Sequence, residues 1–239
     1  MFQTFLVQPI YNVFVFLVGV MPQGDVGLAI IAITLIIRAL FYPTFASQIR
    51  TQIGMQAAQK EIDEINKKYK DDPKVRAERT MALFRERGIR PFSSILTIIV
   101  QIPVFLALYW AFFQTRLPEL ATGLLYSFVP VPEAVSIIFF GLMDLTATGN
   151  ILLASLVAIL QYLVAHLSLA RVDAPAGDLA PERAAAHNMQ KQMMLYFLPA
   201  LMGITSYFLP SAAGLYFAAS GVFSLGQEFL IRRQLAHKR

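Results

Sequence analysis

The chain has 239 residues, 56% of them hydrophobic and 15% charged, with a formal net charge of +5 and no cysteine. That is more apolar surface than one soluble domain can hide, so it reads as an integral membrane protein with room for five or six spans of about 20 residues. The missing cysteines exclude disulfides, thiolate nucleophiles, Cys-based metal sites and lipid attachment through sulfur; most cations lie between hydrophobic segments, which argues against DNA binding.

Residues 1–20, MFQTFLVQPIYNVFVFLVGV, hold no Lys or Arg and no small-residue cleavage site, so they do not resemble a cleavable signal peptide. Gln3, Gln8, Pro9 and Asn12 dilute the apolar run and no cation anchors an inner end. Residues 1–24 are therefore expected as an amphipathic helix at the outer interface.

The first span is placed at residues 25–47. The excursion that follows, residues 48–91, divides at KDDPK, where Asp71 or Asp72 can cap a helix with Pro73 in its first turn. Ile53, Ala57, Ile62, Ile65 and Tyr69 make one apolar stripe; Val75, Met81, Ala82 and Phe84 make another. This predicts a hairpin of two amphipathic helices, a spacer or a docking element, with a length that favours docking.

Further spans are expected at residues 92–115, 150–170, 191–209 and 211–231. In the outer loop, 116–149, the apolar VSIIFFGLM is too short to cross and is expected at the outer interface. The 171–190 loop is rich in Ala, Pro and Gly, a composition that suits a mobile link. Pro210 and Gly214 mark a tight reversal between the last two helices, and a basic tail occupies residues 232–239. Outside the spans, 17 cations fall on one side and one, Arg116, on the other. The positive-inside rule then puts the N-terminus outside and the C-terminus in the cytoplasm.

There is no phosphate-binding GxxxxGK[ST] loop, no GxSxG elbow and no HExxH pair, and His166, His187 and His237 are scattered. Neither an enzyme nor a cofactor is expected. The residue that needs explaining is Arg38, in TLIIRALFYP near mid-depth of the first span. A cation there costs about 2.5–3.5 kcal/mol facing lipid, so it should face the bundle interior or water.

Thr34 shares the face of Arg38, and Gln101 and Gln161 lie at comparable depth on other spans, so these residues can line a polar pocket. Glu228 is the one carboxylate well inside a span and is a possible partner that would neutralise Arg38. Without that pair, a positive hydrated cavity would attract acidic segments of a passing polypeptide. Burial of the following apolar helix supplies the free energy and the membrane potential assists, with no need for ATP. Two rivals remain: a small-molecule or ion transporter, which should show paired intramembrane charges and related halves, and a structural subunit, in which Arg38 has a permanent partner.

Four stretches resemble the YidC/Oxa family of membrane insertases in order and spacing: IAITLIIRALFYP, MALFRERGIRP, VQIPVFLALYWAF and FLPSAAGLYFAASGV. The resemblance covers nearly the whole chain. It implies an all-α integral membrane fold, with a five-helix core, an interfacial N-terminal helix, a cytoplasmic helical hairpin and a hydrophilic groove open to cytoplasm and lipid. It also implies a plasma-membrane protein that handles nascent membrane proteins, with the ribosome, the Sec translocon and anionic lipids as candidate partners.

Matched motif by motif, Arg38 and Thr34 fall on the groove arginine and the threonine one turn before it, and Gln101 on the groove glutamine. Tyr216 and Phe217 fall on an aromatic pair that contacts substrate, and Gln161 joins the lining. Phe217 stands where some relatives have Tyr, Gly221 where Asn can occur and Glu228 where a neutral Gln is common. These differences bear on the polarity of the groove's lower end.

Overall fold

The computed structural model describes residues 3–90, 118–169, 188, 189 and 191–236. The expected span at 92–115 with Gln101, Arg116, most of the 171–190 loop, and His237, Lys238 and Arg239 of the tail lie outside the described residues.

Helix α1 (Gln8–Val20) follows a π-helical turn, Gln3–Val7. Tyr11, Phe14, Val15 and Val18 are buried on one face, while Val13, Phe16 and Val20 are exposed on the other. Gln8 and Asn12, which dilute this segment, are turned toward the protein. Asn12 Nδ2 donates to Leu124 O at 2.9 Å, Asn12 Oδ1 accepts from Tyr126 N at 2.7 Å, and Gln8 Nε2 donates to Leu124 O at 3.1 Å. Tyr11 OH accepts from Ala121 N. A carboxamide that donates and accepts fully is cheap to bury, so Gln8 and Asn12 clamp the outer loop.

Asp25 starts α2 (Val26–Leu40): its Oδ1 accepts from Gly27 N at 2.8 Å and Leu28 N at 3.0 Å, which satisfies two of the amides a helix start leaves open. Pro43 cannot donate a backbone N–H, and its ring would crowd the carbonyl of Ala39. The helix therefore breaks at Phe41, and α3 (Tyr42–Ala57) leaves at 68°. The segment expected as the first span, 25–47, is thus built from two helices, and α2 by itself extends only about 22 Å against a hydrocarbon core of about 30 Å.

The charged arm continues as α4 (Gln59–Lys68) and α5 (Pro73–Glu86). Asp72 is the cap, accepting from Lys74 N and Val75 N. The arm packs on Ala58, Leu83, Phe84 and Ile89, with Ile62, Ile65 and Met81 at the margin. Ala57 and Ala82, expected on the apolar stripes, are exposed, and their neighbours Ala58 and Leu83 are buried in their place. Arg87 and Glu61 pair across the arm at 2.6 Å.

In the outer loop, VSIIFFGLM folds into a β-hairpin, β1 (Ile138–Phe139) against β2 (Met143–Asp144). Its three-residue turn holds Phe140 and Gly141 at φ of 49° and 71°. Ser136 bridges the start of α2: Val26 N donates to Ser136 O and Ser136 N to Gly24 O. Phe140 N donates to Asp25 Oδ2. Gly27 makes room for the hairpin, since a methyl group there would lie 2.2 Å from the Phe139 ring.

Helix α6 (Ile151–Leu169) is the one described straight helix long and apolar enough to cross a membrane alone. After a π-helical turn, Met193–Phe197, come α7 (Leu198–Phe208) and α8 (Ser211–Ala236), with the chain reversing at Leu209 and Pro210. Glycines bring these helices close: methyl groups at Gly203, Gly214 and Gly221 would lie 2.8 Å from Ala158, 2.6 Å from Ser206 and 3.1 Å from Leu160. Small residues at such crossings are how helices pack without a hydrophobic driving force between them. Ile30 and Ile33 of α2, Phe14 of α1 and Tyr216 of α8 share one buried cluster, and Leu153, Val157, Leu160 and Ala218 form another.

Candidate functional site

The bend at Phe41 builds the surroundings of Arg38. Arg38 sits in the last turn of α2, about 18 Å from Val26 along the axis, where the helix's carbonyl end favours a cation. The turn brings Phe45 of α3 beneath it, with the guanidinium carbon 4.4 Å from the ring centroid. A cation over an aromatic face is stabilised by about 0.5–2 kcal/mol. With the dipole contribution of about 0.3–1 kcal/mol, this offsets much of the insertion cost without discharging the arginine.

No carboxylate among the described residues makes an ion pair with Arg38. Tyr216 of α8 is buried in the cluster that holds Ile30 and Ile33, and Phe217 is half-buried beside it at 5.6 Å between ring centroids. Thr34 is buried one turn above Arg38, where its Oγ1 donates to Ile30 O at 2.6 Å. Its hydroxyl hydrogen is thus committed to its own helix. Gln161 is half-buried on α6. Thr34 and Arg38 thus lie on α2, which packs against α8 through the cluster that holds Ile30, Ile33 and Tyr216, with Phe217 at its margin.

Glu228, 3% exposed, accepts from Arg232 Nε at 2.6 Å. Arg232 Nη2 donates to Ser168 O at 3.2 Å, and Gln56 Nε2 donates to the same carbonyl at 2.9 Å. The structure thus pairs Glu228 with Arg232 rather than with Arg38. The reason is spacing: Arg232 lies four residues on, one turn along the same face. The resulting cluster ties the C-terminal ends of α3, α6 and α8 together.

Phe45, Gln56 and Ser168 were not singled out from sequence, and Arg232, read there as a basic-tail cation for anionic lipid or rRNA, is paired with Glu228. The Glu228–Arg232 spacing is legible there; the contacts of Phe45 and Ser168 depend on a bend and on a helix crossing. Ser220 and Gln227, seven residues apart on one face of α8, are buried, and Ser220 Oγ and Gln227 Nε2 have no hydrogen-bond partner. Such atoms are costly to leave unpaired and mark a polar lining on α8.

A mostly helical membrane protein emerges, with a charged helical arm and an arginine held at a helix break without a described counter-ion. Residues 17–238 match the family described as 60Kd inner membrane protein. Among individual relatives, a protein of Oceanobacillus iheyensis named membrane protein insertase YidC is 30% identical over 99% of this chain and 85% of its own length. Proteins of the same name from Haemophilus influenzae and Francisella philomiragia are 26% and 29% identical over 98% and 90% of this chain, which spans 38% and 34% of their lengths. The chain belongs to this YidC/Oxa family and is a bacterial inner membrane protein.

Proposed function

We propose that this chain is an ATP-independent membrane protein insertase and chaperone. A polar segment of a nascent client enters a groove at Arg38, and the client's apolar helix then moves sideways into lipid. The reading has five spans: α2 with the root of α3, residues 92–115, α6, residues 191–209 and α8. Helix α1 lies in the outer interface, and the α3–α5 arm and the C-terminus lie in the cytoplasm. Clients are nascent membrane proteins; the ribosome, the Sec translocon and anionic lipids are the expected partners.

The observation that carries this reading is the charge state around Arg38. Its guanidinium rests on Phe45, while the buried carboxylate Glu228 is occupied by Arg232. A positive group without a counter-ion among the described residues attracts acidic client segments. The relatives' shared name supports the same activity. In this scheme Thr34, Gln101 and Gln161 line the groove, joined by Ser220 and Gln227, and Tyr216 and Phe217 form the wall along which the apolar helix slides. Free energy comes from burying about 20 apolar client residues, and each acidic charge moved outward gains about 2.3 kcal/mol per 100 mV.

Photo-crosslinkers at positions 34, 38, 101 and 217 test this during synthesis of a single-span client with a short acidic N-terminal tail. Crosslinks from 34, 38 and 101 to the tail, and from 217 to the apolar helix, are the expected result. Full complementation of a depletion strain by Arg38→Ala, with no tail crosslinks, overturns the groove. Activity in Arg38→Lys but not Arg38→Ala identifies charge rather than bidentate geometry as the requirement.

A further inference from the structure

At the outer end of α6 a cleft of about 540 Å³ opens between that helix and β2. One wall is apolar, formed by Leu142, Leu152 and Leu156; the rim is polar, with Asp144, Thr148 and Asn150. Leu142 is 91% exposed and Leu152 81%. Beside them Phe140, also exposed, projects from the hairpin turn at a positive φ that a bulky side chain rarely adopts. The turn is held in place by the Asp25–Phe140 bond and by Phe139 seated over Gly27. The fold thus presents large apolar side chains outward at a fixed position.

The apolar wall continues beyond the cleft. Leu152, Leu156, Ile159 and Leu163, spaced at i, i+4, i+7 and i+11 on α6, are all exposed and form one stripe. It runs about 16 Å along the helix, close to half of a hydrocarbon core of about 30 Å. A polar-rimmed cleft continued by an exposed apolar stripe about one leaflet long has the dimensions of a phospholipid.

We infer that this cleft seats one outer-leaflet phospholipid, its acyl chain along the α6 stripe and its headgroup at the rim, with the hairpin tip dipping into the same leaflet. Asp144 is the one charge among the described lining residues, so an amine-bearing headgroup fits better than an anionic one. The seat fixes the outer end of α2 against the bilayer through Asp25, and with it the depth of Arg38. The inference rests on the orientation proposed above, with this end outside.

The chain has no cysteine of its own, so single nitroxide labels are clean probes. Labels at Leu142→Cys and Leu152→Cys, with exposed Glu133→Cys as an aqueous control, are read by oxygen and nickel-chelate accessibility. The full chain is placed one copy per nanodisc in equal parts phosphatidylethanolamine and phosphatidylglycerol. The expected result is oxygen access with loss of nickel access at 142 and 152, and nickel access at 133. Nickel access at 142 and 152 overturns the seat, as does shielding from both reagents. Shielding that develops only with two copies per disc assigns the face to a second copy instead.

Lipid retained through purification should be enriched in phosphatidylethanolamine, and Asp144→Asn should lose that enrichment; its absence in the wild type overturns the headgroup assignment. A membrane-impermeant maleimide on intact spheroplasts separates the underlying orientation from the seat. Reaction of Glu133→Cys from outside supports the orientation, and its protection overturns the orientation while the accessibility data still decide lipid contact.

Discussion

Removing Arg232 should cost this protein more stability than any other single change in the cluster that joins the C-terminal ends of α3, α6 and α8. Glu228 is 3% exposed and receives its ion pair from Arg232 alone among the described contacts, while Arg232 is 21% exposed. Breaking a fully buried pair by deleting one partner costs about 3–5 kcal/mol, because the other charge stays buried. The partial exposure of Arg232 lets water replace some of the loss, so about 2–3 kcal/mol is expected for Arg232→Ala. For a chain of this length that lowers the apparent unfolding midpoint by about 4–12 °C. The assay is fluorescence-detected size exclusion after heating in detergent, at one fixed heating time because membrane proteins unfold irreversibly.

Adding Glu228→Gln to Arg232→Ala should restore a large part of the loss, since the double variant no longer buries an unpaired charge. The coupling between the two sites is expected at about 1–3 kcal/mol. Glu228→Gln by itself should leave Arg38-dependent insertion unchanged. An Arg232→Ala midpoint equal to wild type, or a double variant no better than the single one, would refute the pairing. A Glu228→Gln variant with altered client recruitment would instead return Glu228 to the role of counter-ion for Arg38.

Phe45→Leu removes the ring beneath Arg38 and should lower the midpoint by the equivalent of about 0.5–2 kcal/mol, with Phe45→Tyr close to wild type in the same assay. Gly27→Ala places a methyl group against Phe139 and should cost about 1–3 kcal/mol, seen as faster protease cleavage within residues 134–143. Asn12→Leu keeps the volume of α1 but strands Tyr126 N and leaves Leu124 O to Gln8 alone, and should likewise expose the 118–149 loop to protease. At Asp144, the Thr146 hydroxyl, with its amide, holds the carboxyl below the usual carboxylate range. A depressed value stabilises the fold above the unfolded pKa and is lost as pH falls through the folded one. Thr146→Val should therefore raise the Asp144 titration midpoint part of the way back toward the ordinary carboxylate range, followed by the carbonyl signal of labelled aspartate.

The sequence by itself determined the class of this protein: apolar periodicity, the clustering of cations between apolar runs and the helix-start signal at Asp72–Pro73 are local properties that survive into the folded chain. Arg38 and its neighbour Thr34 were legible for the same reason, because a cation in an apolar run stands out in one dimension. The tertiary structure decided whom each polar residue meets. Gln8 and Asn12, which look like interfacial dilution, clamp a loop more than 100 residues away. Phe45 reaches Arg38 because the chain turns 68° at Phe41. Glu228 is claimed by Arg232 one turn along α8, and Ser168 on another helix completes that arrangement. Such pairings depend on helix crossings and loop docking, which bring together groups that no local pattern relates.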